Sequence, residues 1–370
     1  MGKKSNKLFV GMDVHKDSID VATGDERGGE VRHYGAIGGE LAAVSRLARK
    51  LESSGGGPLV FVYEAGPCGF GIYRMLRERG HECWVVSPGM TPRSNADRVK
   101  TDRRDALKLC RLARAGELTP IHVPDALDEA MRDLVRTRED AVAMQRQARQ
   151  RLGALLLRND IRYAGKTAWT PAHRRWIAVL KLPHGAQRIA FEEYVQAVEE
   201  ASARIERLTK AIEAELVHWR WLPVVAALQA FRGIQMIHAV RIVAELGDLT
   251  RFHSARCLMA FLGLVPSEHS SGQHRQQGSI TKAGNSSARR ALVEAAWAYR
   301  YGARVSPIIA RRQSGIAKAV TDLAWKAQLR LCARFRALSA RGLHRNKIVV
   351  AIARELSGFL WALGQKVKPL

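Results

Sequence analysis

Cysteine is scarce in this chain. There are five (Cys68, Cys83, Cys110, Cys257 and Cys332), an odd number with no CxxC pair. That excludes a disulfide framework and a zinc ribbon, and a reduced, cytosolic protein is expected. His253 and Cys257 share helical spacing, but two residues do not make a zinc site. Long apolar runs are also missing. No stretch reaches the ~18 apolar residues of a membrane span, and the opening MGKKSNKLFVGMDV lacks the apolar core of a signal peptide. Acid is in short supply: 35 Asp+Glu stand against 60 Lys+Arg, a formal net charge of +25. Such an excess repels itself unless a polyanion neutralises it, so nucleic acid is the first partner to consider. The imbalance is steepest from Trp221 to Leu370, with 23 Lys and Arg against 6 Asp and Glu. The main phosphate-binding surface is expected there.

What is present suffices for two or three folded cores: 370 residues, 46% of them hydrophobic. The first ~120 residues alternate strand-like and helix-like patterns. Strands are expected over Leu8–Val14, Ile19–Thr23, Val31–Ile37, Leu59–Tyr63 and Cys83–Val86. Helices are expected over Glu40–Ser53 and Phe70–Arg79, stopped by Gly55-Gly56-Gly57 and Gly80. A three-strand meander followed by helix–strand–helix–strand predicts an α/β domain with parallel strands after the meander. Asp125–Arg158 and Ile189–Val217 repeat apolar residues at helical spacing. They fit either an antiparallel coiled coil or ordinary packed helices. An aromatic and basic connector with Pro171 and Pro183 joins them. The remainder, Phe231–Leu370, is mostly helical, broken by a long polar loop over Val265–Asn285.

Two acids end strands in the first domain, Asp13 and Glu64. Strand ends of an α/β sheet open onto the ligand crevice, and neighbouring strands lie only ~4.8 Å apart. Asp102 and Asp105 in KTDRRDA are one helical turn apart and point the same way. Four clustered carboxylates repel and need a cation. Oxygen ligands suit Mg2+ or Mn2+, and two such ions support phosphoryl transfer. Lys100, Arg103 and Arg104 flank the acids as phosphate contacts. The structural alternative is a helix N-terminus whose acids are favoured by the dipole.

Further along, a Ser-Ser-Gly in the polar loop is ringed by His269, His274, Arg275 and Lys282, a plausible nucleophile site. Most such loops are only polar connectors. FRGIQMIHAV is similar to a helix-hairpin-helix, whose turn amides bind phosphate, but Gln235 stands where a second glycine is usual. Trp325, Lys326, Arg330, Arg334, Phe335 and Arg336 form either a nucleic-acid face or an ordinary amphipathic helix.

FVGMDVHKDSIDVA, VYEAGPCGFGIYRML and RVKTDRRDALKLCRLARAGELTPIHVP resemble the N-terminal domain of insertion-sequence transposase family one hundred and ten, the DEDD type that includes the pilin-inversion recombinase. LGLVP, SSG and ITKAGN resemble that family's C-terminal transposase domain. The resemblance covers roughly residues 8–135 and 225–300. It implies a RuvC-like domain of ribonuclease H fold over 1–124, a helical coiled-coil region over 125–222, and a mostly α transposase domain over 223–370. It further implies Asp13, Glu64, Asp102 and Asp105 as ligands of Mg2+ or Mn2+, and Ser271, next to Gly272, as nucleophile, with Ser270 as the alternative. The implied reaction cuts and rejoins DNA through a covalent 5′-phosphoserine link. A noncoding bridge RNA would pair with donor and target DNA, in keeping with delegated sequence reading. Lys100, Arg103, Arg104, Arg275, Lys282, Arg289 and Arg290 are the expected nucleic-acid contacts. A homodimer that pairs into a tetramer on DNA, in the bacterial cytoplasm and associated with the nucleoid, completes the expectation. Two other functions stay open: a metal-dependent, structure-specific nuclease such as a junction resolvase, and a non-catalytic nucleic-acid-binding protein.

Overall fold

In the computed structural model, strands form where β-branched and aromatic residues crowd between turn residues. Residues 6–54, 57–92, 101–268, 270–271 and 276–370 are described. The chain divides into two compact units, Met1–Val123 and Pro124–Leu370.

The first unit runs β1 (Leu8–Val14), β2 (Ser18–Asp25), β3 (Arg32–Gly38), α1 (Leu41–Ser53), β4 (Leu59–Glu64), α2 (Gly71–Glu78), β5 (Glu82–Val86) and α3 (Asp102–Arg114). The sheet order is β3-β2-β1-β4-β5. β1 pairs antiparallel with β2 and parallel with β4, which pairs parallel with β5. This mixed sheet, meander first and parallel strands after, is compatible with a ribonuclease H-like domain. Central β4 is buried from Leu59 to Tyr63 because both faces are covered. On one face Val10, Met12, Phe61 and Tyr63 pack with Val44, Leu47 and Leu76 of α1 and α2. On the other, Phe9, Val60 and Val62 pack with Ala106, Leu109, Cys110 and Ala113 of α3.

In the second unit come α4 (Ala126–Arg158), α5 (Pro171–Ala178), α6 (Gly185–Leu216), α7 (Leu222–Leu228), α8 (Met236–Leu246), α9 (Ala255–Phe261), β6 (Pro266–Glu268), β7 (Gln277–Ile280), α10 (Ser286–Ala296), α11 (Pro307–Gln313), α12 (Lys318–Ala340) and α13 (Arg345–Gly364). α4 and α6 lie antiparallel. Arg138 Nε donates to Thr209 Oγ1, Gln145 Nε2 to Ser202 Oγ, and Gln187 Nε2 to Asn159 Oδ1. α5 lies in the expected connector, started by the Thr170 cap and Pro171 at the first helical positions. It closes a small core of Leu152, Leu156, Ile177, Leu182 and Phe191. At the opposite end of α4, buried Asp128 accepts the indole N–H groups of Trp219 (2.8 Å) and Trp221 (3.0 Å) and pairs with Arg220. α7 to α13 enclose one apolar core that includes Phe231, Ile234, Leu258, Leu292, Tyr299, Leu331 and Leu356.

Three local features stand out here. Gly233, in the hairpin before α8, has a φ of +83°, and a Cβ there would overlap the Ala295 carbonyl. Glycine at this turn therefore serves close packing on α10. The α12 face is split: Phe335 enters the core, while Arg330 and Arg334 pair with Glu355 of α13. The Val265–Asn285 segment is more ordered than its composition suggests, because β6 and β7 pair antiparallel within it. Thr281 and Lys282 also donate their amides to the Val265 and Gly263 carbonyls. Among the described residues no helix is long and apolar enough to cross a membrane.

Candidate metal centre and serine hairpin

Asp13 and Asp102 are brought together where α3 lies on β1 at a glycine. Gly11 lies two residues before Asp13 on β1, where α3 crosses the sheet. A Cβ at Gly11 would stand 2.5 Å from the Ala106 carbonyl oxygen and 2.6 Å from the Cys110 nitrogen. Only hydrogen fits, so α3 seats directly on β1. Its first turn, carrying Asp102 and Asp105, comes level with the strand end. Thr101 caps that turn, its side chain accepting the Arg104 amide at 3.4 Å. Acids at this position are also favoured by the helix dipole.

The convergence is measurable. His15 Nε2 lies 3.3 Å from Asp13 Oδ2 and 3.7 Å from Asp102 Oδ1. One ligand atom from each of Asp13, His15 and Asp102 falls within 4.8 Å of the others. Burial pushes the Asp13 carboxyl above its ordinary value; His15 pulls it down by charge and hydrogen bond, and the charges of Asp105 and Asp102 raise it further. Asp105 thus belongs to the same electrostatic cluster. Glu64 ends β4 beside it: Met12 pairs across from Tyr63, so Asp13 and Glu64 leave their strands at the same level. Arg103 and Arg104 are exposed on the same turn of α3. Lys100 lies outside the described residues.

In the second unit, Ser270 and Ser271 are exposed at the hairpin joining β6 to β7. Ser270 Oγ donates to Glu268 Oε1 at 2.9 Å and accepts the Gln276 amide at 3.2 Å. Gln277 Nε2 donates to the other Glu268 oxygen. The first serine is therefore tied to the strands, and the second, also exposed, follows it. His269, Gly272, His274 and Arg275 lie outside the described residues. Lys282 is exposed at a φ of 55°. Arg289 donates to the Leu262 and Ala283 carbonyls, bracing the end of the hairpin. Arg290 is largely exposed, 3.9 Å from Glu139.

Two participants escape sequence reasoning. His15 reads as part of a polar turn, although its place two residues after a strand-end aspartate was the available signal. Glu268 reads as a loop acid, and only strand pairing shows it beside Ser270.

Comparison with known proteins extends the pattern over the whole chain. Residues 225–310 match the profile described as the IS116/IS110/IS902 transposase family. Residues 10–159 match the transposase profile of the DEDD type for IS110. The chain is 44% identical to a putative transposase, y4qE, of Sinorhizobium fredii, over 98% of this chain and 90% of that one. It is 31% identical to the transposase for insertion sequence element IS1533 of Leptospira borgpetersenii, over 90% and 97% respectively. A probable family 20 transposase of Pseudomonas aeruginosa is 29% identical over 83% and 84%. A carboxylate cluster at the end of the central strand, a basic helical unit and these likenesses converge: the chain belongs to the IS116/IS110/IS902 family of insertion-sequence transposases.

Proposed function

We propose that this transposase cuts and rejoins DNA through a serine ester, using Ser271 as nucleophile and Asp13, Glu64, Asp102 and Asp105 as a divalent-metal site. The observation that carries the proposal is the gathering of Asp13 and Asp102, with Asp105 beside them, over the Gly11 crossing. The donor set fits Mg2+ or Mn2+. It is oxygen-rich, the charges of Asp105 and Asp102 add to burial in raising the proton affinity of Asp13, and His15 opposes them. A divalent ion held there would stabilise charge on the phosphate and its leaving oxygen.

The remaining work falls to side chains. The Ser271 hydroxyl attacks a DNA phosphate; the Oγ–P bond forms, the P–O3′ bond breaks, and the serine proton passes to solvent while the 3′ oxygen leaves as a hydroxyl. Attack by a 3′ hydroxyl of another strand reverses the step and releases the serine. Glu268 holds Ser270, the residue next to Ser271. Arg103, Arg104, Lys282 and Arg290, with Lys100 and Arg275, supply phosphate contacts; Arg289 is engaged with backbone carbonyls. We further propose that a bridge RNA chooses donor and target DNA and that two dimers unite on the DNA. The three-part division at residues 124 and 222 remains our functional map.

The test is to incubate the protein with Mg2+, element-end DNA and RNA transcribed from the flanking noncoding sequence, then denature it in detergent. The expected result is a labelled strand attached to protein, lost in Ser271→Ala and retained in Ser270→Ala. Free cleaved ends that persist in Ser271→Ala would instead identify a hydrolytic nuclease. Binding without cleavage under any metal and RNA condition would leave a binding protein.

A further inference from the structure

Two lines of buried polar contacts cross the second unit side by side, and the chemistry proposed above needs neither. In the first, Arg136 of α4 donates from Nε (2.8 Å) and Nη2 (2.9 Å) to the two oxygens of Glu245 on α8. Asn285 Nδ2 donates to the same carboxylate at 2.7 Å. In the second, Glu139 of α4 meets Arg241 Nη2 of α8 at 2.5 Å, and Arg241 Nε donates to Ser287 Oγ of α10 at 2.9 Å. Arg136 and Glu139 are three residues apart and Arg241 and Glu245 four, so each line starts on one face of its helix. The Glu245 side chain is 0% exposed and that of Arg241 4%. Burying charges this deeply is expensive, and its best-attested return is a fixed register between elements.

Asn285 is the joint. Its Oδ1 accepts the Ala288 amide at 2.8 Å and caps α10, while its Nδ2 holds Glu245. An amide offers both functions at one position; a carboxylate offers only the acceptor. Asn285 also closes the segment leaving β7, and that segment has no slack. A Cβ at Gly284 would overlap the Phe261 carbonyl, and one at Gly263 would overlap the Ala283 carbonyl. Whatever fixes Asn285 therefore fixes the foot of the serine hairpin.

We infer that Glu245, acting through Asn285, is a positioning residue that makes the seating of α4 decide where the serine hairpin points. The link to catalysis rests on the assignment of Ser271 as nucleophile; the positioning itself does not.

The test has two readouts. For geometry, spin labels go on exposed Ser279→Cys of β7 and Met144→Cys of α4, with exposed Cys68 and Cys257 changed to Ser. The label-to-label distance distribution should be narrow in the parent, broadened in Asn285→Asp, and narrow again in Asn285→Asp/Glu245→Gln. The carboxylate introduced by Asn285→Asp keeps the helix cap but faces Glu245 with like charge; adding Glu245→Gln restores an amide donor to that contact. For chemistry, the single-turnover rate of DNA attachment should fall about 10-fold to 100-fold in Asn285→Asp. The half-saturating DNA concentration should hold within about twofold, and the double variant should recover most of the rate. Ser287→Ala, a milder break in the second line, should fall about threefold. Thermal unfolding confirms that each variant is folded at the assay temperature. An unchanged distance distribution in folded Asn285→Asp, or a double variant no better than the single, overturns the inference. Attachment that persists in Ser271→Ala overturns the serine assignment instead, while the distance readout still decides the positioning.

Discussion

Asp13 and Glu245 are both partly or wholly buried carboxylates, and their surroundings treat them in opposite ways. Burial and two neighbouring acids raise the Asp13 carboxyl, with His15 in partial opposition. Burial would raise Glu245 as well, but hydrogen bonds from Arg136 and Asn285 outweigh it and hold that carboxyl below its ordinary value. At the first acid burial and like charge prevail; at the second, hydrogen bonds and charges from within the chain prevail. A site that must receive a cation resembles the first case, and a structural fastening resembles the second. The two units thus place their acids differently, the smaller among other acids and the larger among donors of its own framework.

That comparison can be broken most severely at Asp13. Asp13→Asn should lower DNA strand breakage by about 1000-fold or more while leaving the metal-free protein at least as heat-stable, as measured by paired cleavage and unfolding experiments. The sign follows from linkage. A raised native value means that native stability is lost as pH rises from the ordinary 3.8 through the shifted value, so removing the ionisable group relieves the metal-free fold there. A destabilised, active Asn variant would refute the metal assignment.

Gly11→Ala comes next. The added methyl meets Ala106 and Cys110 backbone, so α3 must lift; a loss of about 3 kcal/mol in chemical denaturation is expected. Cleavage should fall even where the protein stays folded.

Glu245→Gln should destabilise the second unit by about 2 kcal/mol, since Arg136 is half-exposed and can turn to solvent. The lowered native value places this contribution above the ordinary 4.5 and removes it as pH falls through the native value. The difference between wild type and variant in urea midpoints should therefore be flat near neutrality and shrink on acidification. A difference that grows in acid would contradict the fastening.

The smallest effect expected is at His15. His15→Ala should weaken Mn2+ binding by about tenfold in titration calorimetry with no change in unfolding temperature, because the side chain is half-exposed. An unaltered affinity would remove the imidazole from the site.

The sequence exposes the two units unequally. Strand-end Asp13 and Glu64 and the TDRRDA turn are legible because they sit on local periodicities. The approach of Asp102 to Asp13 depends on Gly11, whose role depends on α3, some ninety residues later in the chain. α5 was signalled by Thr170-Pro171 but hidden by the bulky residues around it. In β6 and β7 every residue but Ile280 is Pro, Glu, Ser, Gly or Gln, types with little strand preference; the pairing is supported beyond the strand ends by the Gly263 and Val265 carbonyls and leaves no alternating pattern to read. Glu245 is the least legible of all. Arg136 lies 109 residues before it and Asn285 40 after, so nothing local distinguishes it from a surface acid on an amphipathic helix.

Asp128 carries an optical consequence. Two of the chain's eight tryptophans, Trp219 and Trp221, donate to this single carboxylate and are nearly closed to solvent. Indoles so fixed and so near an anion give strong near-ultraviolet dichroism and an emission sensitive to that charge. Any event that frees the first turn of α4 becomes visible to light without a dye, and Asp128→Asn supplies the blank against which the other six indoles are subtracted.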